Sequence, residues 1–284
     1  MNLEDCLLGL YEKALPFSWD WEKKLGMIKE FGFDFMEFSI DPHHINRLDW
    51  AENEILLLRD ISFKLGIPLH TMALSANREY PIGSENDSVR GEGKSLLKKA
   101  IRLAQKLGIR IIQVAAYDVY GEEGNEETDR LFIDSLREVE RSASLAGVML
   151  ALETMDTLYA GSVYDCKRII EQINSPWVQI YADTGNIASN GYIFAKDIKT
   201  GADNIIAIHL KDSKKGVVRG INYGTGLVDF HEDLNGLKDI DFHGFFVAEM
   251  WWKEEPGYLD QIQFAHDFLR KEIKTADDSV PKGR

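Results

Sequence analysis

One pattern of hydrophobic and polar positions recurs along the chain. An amphipathic stretch ends at glycine and an apolar run follows at once, as in Phe31-Gly32-Phe33, Leu65-Gly66-Ile67, Leu107-Gly108-Ile109, Ala146-Gly147-Val148 and His243-Gly244-Phe245. Glycine just past a helix end adopts the left-handed cap, and the next residue opens a strand. The first four instances lie roughly 35 to 42 residues apart, a period that strand–helix units share with solenoids. Strands are expected near Leu7–Tyr11, Phe33–Ser39, Pro68–Ser75, Arg110–Tyr117, Val148–Glu153, Val178–Asp183, Ile205–Leu210 and Phe245–Met250. Helical stretches fill the gaps: Ser95 to Ala104 carries apolar residues at helical spacing, and a last helix is expected over Tyr258–Lys271. Eight βα units without a linker predict a (β/α)₈ TIM barrel forming a single domain over residues 1–284. The doubly wound alternative lacks a glycine-rich dinucleotide turn after any strand.

Alternation along strands five to eight sharpens the picture, because successive side chains point to opposite faces. Glu153 shares a face with Met149 and Ala151, Asp183 with Gln179 and Tyr181, His209 with Ile205 and Ala207, and Glu249 with Phe245 and Val247. The other face is apolar throughout: Val148, Leu150, Leu152; Val178, Ile180, Ala182; Ile206, Ile208, Leu210; Phe246, Ala248, Met250. That face suits the helix ring, so the four polar groups point into the barrel, each at the last inward position of its strand. The strand C-termini are where such barrels carry chemistry. A single Glu at a strand end could be an ordinary ion-pair partner, and a lone His such as His70 an ordinary core histidine. Three carboxylates and one imidazole on adjacent strands would repel unless a cation joined them, which predicts one divalent metal, Mn²⁺, Mg²⁺, Co²⁺ or Zn²⁺, held by Glu153, Asp183, His209 and Glu249.

Composition narrows the partners. The 284 residues are 44% hydrophobic and 28% charged, with net charge −14, which argues against nucleic-acid and membrane-surface binding but leaves room for a small anionic substrate. The two cysteines, Cys6 and Cys166, have no ligand spacing, so neither a disulfide framework nor a thiolate zinc site is expected. No basic segment precedes an apolar run at the N-terminus, and the expected compartment is the cytoplasm. A polar tail, roughly Thr275 to Arg284, is expected to fray.

Several segments together carry a resemblance: Gly9-Leu10-Tyr11-Glu12-Lys13-Ala14-Leu15-Pro16, Ser75-Ala76-Asn77-Arg78, Pro81-Ile82-Gly83-Ser84, Ala116-Tyr117-Asp118-Val119-Tyr120, Asp183-Thr184-Gly185-Asn186, His209-Leu210-Lys211-Asp212, Val228-Asp229-Phe230 and Glu249-Met250-Trp251. With them the chain resembles the L-xylulose-5-phosphate (L-ribulose-5-phosphate) 3-epimerases of pentose and ascorbate use, within the xylose-isomerase-like barrels. The resemblance implies that the four residues bind the metal and that Glu153 and Glu249 are also the acid/base pair. Related free-ketose epimerases carry His where this chain has Asn186 and Arg where it has Lys215, and the wider superfamily shows Gly-Glu-Gly where this chain reads Gly224-Thr225-Gly226. By analogy with such barrels a homodimer is expected.

Epimerisation at C3 of a 2-ketose removes a proton beside a carbonyl and returns it on the other face. A divalent ion chelating the substrate would steady the enediolate, with Glu153 and Glu249 exchanging base and acid roles. No Walker loop marks the phosphate. The choices are the Ser75–Ser84 segment with Arg78, whose guanidinium offers a fork to phosphate, or the Gly220–Gly226 loop with Lys211 and Lys215, and Arg78 is preferred. Ser75, Ser84, Asn186 and Glu12 complete the candidate substrate contacts, and Glu37 is either a substrate contact or a structural pair. Trp19, Trp21 and Trp50 read as packing residues, Trp251 or Trp252 as a pocket wall, and His43-His44 stays unassigned. The rivals are an aldose–ketose isomerase on the same barrel and a non-catalytic sugar-phosphate-binding protein. An abasic-site endonuclease would need more His ligands and a basic face.

Overall fold

The computed structural model describes residues 2–279. Eight parallel strands close into a barrel in sequence order: β1 (Leu8–Tyr11), β2 (Phe35–Ile40), β3 (Leu69–Leu74), β4 (Ile111–Ala115), β5 (Met149–Glu153), β6 (Val178–Asp183), β7 (Ile205–Leu210) and β8 (Phe245–Ala248). Around them run α1 (Trp21–Glu30), α2 (Glu52–Leu65), α3 (Asp87–Leu107), α4 (Glu126–Ala146), α5 (Val163–Ile173), α6 (Thr184–Ser189), α7 (Phe194–Asp197), α8 (Phe230–Asp239) and α9 (Tyr258–Asp278). No helix among the described residues is long and apolar enough to cross a membrane.

The glycine caps operate where the pattern placed them, with one exception. Gly108 sits at φ 79° beyond α3, and the Gly108 and Ile109 amides both donate back to the Ala104 carbonyl before β4 begins. Gly244 does not cap α8. The left-handed residue after that helix is Asp241 (φ 53°), and Gly244 is needed because a Cβ there would lie 2.2 Å from the Ile206 carbonyl oxygen. The expected strands run past the observed C-terminal ends at three places: Ser75–Arg78 turns into a 3₁₀ helix directly after β3, β4 stops at Ala115, and β8 stops at Ala248. The tail also differs from expectation. Thr275–Asp278 continue α9, and the Asp277 carboxylate accepts the Leu3 and Glu4 amides (3.0 and 2.8 Å), so the last turn is anchored to the N-terminal segment. Residues 280–284 lie outside the described residues.

Two apolar layers hold the barrel. The outer layer packs Leu150, Leu152, Ile180, Ile208 and Phe246 against helix residues such as Leu97, Leu136, Ile169 and Leu269, all buried. The inner layer is Phe35, Ala73, Ile111, Ala151, Tyr181, Ala207 and Val247, with Tyr11 above. Each buried aliphatic side chain contributes about 1.5–3 kcal/mol, so the wall is rigid enough to hold polar groups at its rim. Strand parity is interrupted at the starts of β3 and β7. Opposite β3 the register shifts between Met36 and Glu37, so His70 and Thr71 both face inward. For β7 the pairing register with β6 shifts between Ile180 and Tyr181, so Ile205 joins the outer layer and Ile206 the inner one, the reverse of simple alternation. Alternation is regained by Ala207, which leaves His209 facing inward. His70 is a packing residue at the opposite end, stacked on Phe245 and beside Phe35 (centroids 5.1 and 5.2 Å). Trp21 packs against Phe38 and Trp50, and Trp252 against Trp19 and Tyr258.

Candidate metal centre

Four strand ends deliver Glu153, Asp183, His209 and Glu249 to one buried point, where one donor atom from each lies within 4.8 Å of all the others. None is more than 9% exposed. Glu249 stands one residue past β8, but its amide donates to the Leu210 carbonyl (3.1 Å), so the ladder still fixes its direction.

Each member of the cluster is held from behind. His209 Nε2 faces Glu37 Oε2 at 2.7 Å, while Nδ1 faces Glu153 Oε1 at 2.8 Å and lies 3.8 Å from both Asp183 Oδ2 and Glu249 Oε2. Glu37 Oε1 in turn accepts from the Thr71 hydroxyl and the Tyr181 phenol, each at 2.8 Å. Asp183 Oδ1 accepts the Asn186 amide (2.8 Å) at the start of α6. Glu153 Oε2 accepts from Gln113 Nε2. The Lys211 ammonium lies 2.7 Å from Asp183 Oδ2 and 2.8 Å from Glu249 Oε2. Those contacts are ion pairs rather than aligned hydrogen bonds, since both oxygens are buried without a hydrogen-bond partner.

The electrostatics follow from crowding. Burial pushes the Asp183 carboxyl up to about 8, with Lys211 opposing and Glu249 and Glu153 reinforcing the rise. For Glu249 burial acts in the same direction but is outweighed by Lys211 and His209, which hold it down to about 2. The two acids share one ammonium and titrate as a pair. Burial alone would keep His209 neutral, yet Glu37, Glu249 and Glu153 raise its pKa well above the ordinary value. So much negative charge in so little water favours a cation. Three carboxylates and one imidazole suit a hard or borderline divalent ion, and Asp183 Oδ2 and Glu249 Oε2, which have the Lys211 ion pairs but no aligned hydrogen bond, both lie 3.8 Å from His209 Nδ1.

Above the cluster opens a cavity of about 290 Å³. Glu153, His209 and Glu249 form its floor with Gln113, and Tyr11, Trp251 and Arg219 wall it; Trp251 meets Tyr11 edge-on at 6.1 Å. At the rim sit Ser75 and Arg78, joined by Lys13, whose ammonium is 3.0 Å from Asp41 Oδ2 and 3.4 Å from Ser75 Oγ. Arg78 lies over the rings of Tyr117 and Tyr120 (5.4 and 5.7 Å), and its buried Nε has no hydrogen-bond partner.

Other candidate contacts lie elsewhere. The Glu12 carboxylate is buried behind the rim, consumed by Lys24 (2.7 Å), Arg47 (2.7 and 2.9 Å) and the Ser39 amide (3.0 Å), so its work is to brace the turn that carries Lys13. Glu37 lies beneath His209 as a structural pair. Asn186 is buried between the Thr154 carbonyl (2.8 Å) and Lys211 (3.0 Å). Lys211 lines only a small adjoining cavity of about 20 Å³. Ser84 binds the Asn86 amide (3.2 Å), and Lys215 is exposed on the loop after β7. His44 is taken up by Asp41 (2.8 Å) and a stack on Phe17, while His43 reaches the cavity rim. Gln113, Lys13 and Arg219 line the cavity although sequence pattern does not single them out. Gln113 carries a signal, being the lone polar residue of β4, whereas the lysine and arginine look like any solvated loop cation until the fold assembles.

A closed parallel barrel with a carboxylate–imidazole cluster at its C-terminal mouth defines a class, and the model of the xylose isomerase-like TIM barrel family matches residues 25–272. Within that class the chain is 38% identical over 271 residues to the L-ribulose-5-phosphate 3-epimerases UlaE of Escherichia coli O157:H7 and Escherichia fergusonii, covering 95% of this chain and 95% of each relative. The chain belongs to the L-ribulose-5-phosphate 3-epimerase family of xylose isomerase-like barrels. Two solved structures share the fold: an L-ribulose 3-epimerase (TM-score 0.81, 20% identity, 98% of this chain and 100% of that one) and the D-psicose 3-epimerase of Clostridium cellulolyticum H10 (TM-score 0.81, 19% identity, 94% and 99%).

Proposed function

We propose that this protein is a metal-dependent 3-epimerase that interconverts L-xylulose 5-phosphate and L-ribulose 5-phosphate. The observation that carries the reading is the pair of glutamates, Glu153 and Glu249, converging from separate strands on one buried donor cluster at the floor of the cavity. The kinship with L-ribulose-5-phosphate 3-epimerases over 95% of the chain selects the substrate.

Asp183 and His209 serve as plain ligands, and Glu153 and Glu249 both as ligands and as the proton-handling groups. A bound divalent ion, Mn²⁺, Mg²⁺, Co²⁺ or Zn²⁺, supplies the Lewis acid that stabilises the negative charge developing on the substrate as C3 loses its proton. One glutamate takes that proton from C3, and the other returns a proton to the opposite face, so the configuration inverts and the roles exchange with direction. The aromatic walls Tyr11 and Trp251 keep bulk water from the carbanionic carbon. At the rim, Arg78 presents a planar donor fork without an acid partner among the described residues, and together with Ser75 and Lys13 it holds the 5-phosphate.

The deciding experiment follows hydrogen exchange in deuterated water with L-ribulose 5-phosphate and added Mn²⁺. Exchange at C3 with appearance of L-xylulose 5-phosphate is expected. Exchange at C1 would replace this reading by an aldose–ketose isomerase, and binding without exchange by a sugar-phosphate-binding protein.

A further inference from the structure

The two glutamates are supported by different chemistry. Glu249 leans on a cation, Lys211, at 2.8 Å. Glu153 leans on a neutral amide. Gln113 lies in the middle of β4, is 3% exposed, and is flanked across both neighbouring strands by alanines, Ala73 on β3 and Ala151 on β5. Those small neighbours leave its side chain room to reach in two directions. Its Oε1 accepts the Leu74 amide at 3.1 Å and its Nε2 donates to Glu153 Oε2. Only the oxygen can accept from an N–H and only the nitrogen can donate to a carboxylate, so the Leu74 bond dictates which end faces Glu153. The other oxygen of Glu153, Oε1, is thereby turned to the donor cluster, 2.8 Å from His209 Nδ1.

We propose that Gln113 is a positioning residue for Glu153: anchored on the β3 backbone, it binds one carboxylate oxygen so that the other faces the metal cluster and the reacting carbon. It does so without adding charge, so the carboxylate is aimed while its own negative charge stays available to the ion and the proton. The activity part of this inference rests on the epimerase reading, whereas its metal-binding part does not.

Two substitutions and two readouts test it. Gln113→Glu keeps the shape and the acceptor for Leu74 but sets a carboxylate oxygen against Glu153. Gln113→Met keeps the length and removes the donor without adding charge. In folded protein, either variant is expected to lower kcat for L-ribulose 5-phosphate by about tenfold or more while KM stays within about threefold, and to weaken Mn²⁺ binding several-fold in titrations without substrate. A folded Gln113→Glu with kcat within about twofold of wild type and unchanged Mn²⁺ affinity overturns the proposal. If the wild-type protein does not turn over this substrate, the epimerase reading fails, and the Mn²⁺ titration still decides the role of Gln113.

Discussion

Glu37 and His209 form the hidden axis of the site: Glu37 Oε2 lies 2.7 Å from His209 Nε2, on the side of the ring away from the donor cluster. A carboxylate there can accept the Nε2–H hydrogen bond, so that with an ion bound the Nδ1 lone pair would face Glu153, Asp183 and Glu249, the tautomer a metal ligand requires. The Thr71 and Tyr181 hydroxyls saturate the other oxygen and keep Glu37 from rotating away. Replacing Glu37 by Gln or Leu should therefore weaken divalent-metal affinity about 10- to 100-fold, although Glu37 belongs to neither the donor cluster nor the cavity lining. Calorimetric titration of the chelator-treated variant with Mn²⁺ checks this, and an unchanged affinity would remove Glu37 from the site.

Lys211 stands between Asp183 and Glu249 and balances their charge from within the wall. Lys211→Met would leave three buried carboxylates facing only His209. In the presence of a chelator this should lower stability by about 3–5 kcal/mol, the cost of breaking a buried pair from one side. Saturating Mn²⁺ should recover much of the loss, because an ion bound at 100 times its Kd stabilises the folded state by about 2.7 kcal/mol. Denaturant melts of both proteins, with and without Mn²⁺, test the difference. An equal loss in both conditions would mean that Lys211 and the ion do not share the same carboxylates.

The legible part of this protein is what strand periodicity controls. Parity along β5 to β8 places Glu153, Asp183, His209 and Glu249 on one face, and the observed register keeps them there. Where a local backbone event intervenes, periodicity fails: the shift at Ile180/Tyr181 moves Ile206 inward, and Gly244 answers to a close carbonyl rather than to a helix cap. Supporting contacts are harder to see because they join residues far apart in sequence. Glu12 looks like a pocket residue until Arg47 and Lys24 arrive from two other segments, and Glu37 meets His209 across 172 positions. Gln113 is visible as an odd polar residue in β4, but its partner can be named only once β4 and β5 are in register.

Arg78 is a rim cation with no acid partner among the described residues, held over Tyr117 and Tyr120. If it anchors the 5-phosphate, Arg78→Ala should raise KM for L-ribulose 5-phosphate by about 10- to 100-fold, corresponding to the roughly 1.5–3 kcal/mol of a hydrogen bond to a charged group. The unphosphorylated pentulose should show no comparable loss. Steady-state kinetics on both substrates separate the two effects, and an equal loss on both would assign Arg78 to the sugar rather than to the phosphate.

Asp233 offers a stability test away from the chemistry. It is buried on α8, and burial, reinforced by Asp229 and Glu232, pushes its carboxyl up to about 8 against an ordinary value of 3.8. For an acid shifted upward the sign runs against the usual carboxylate. Below about pH 4 both folded and unfolded states hold the proton and the group is neutral to stability. Between about pH 4 and 8 only the unfolded state ionises freely, so folding becomes costlier as pH rises. Asp233→Asn keeps the acceptor for the Ala195 amide and removes the ionisation. It should be nearly silent at about pH 4 and stabilising at about pH 8, by about 1 kcal/mol or more. Paired thermal melts at the two pH values check this. A variant less stable than wild type at the higher pH would show that Asp233 works as a charged group, in which case its ionised form must be held by contacts stronger than the Ala195 amide alone.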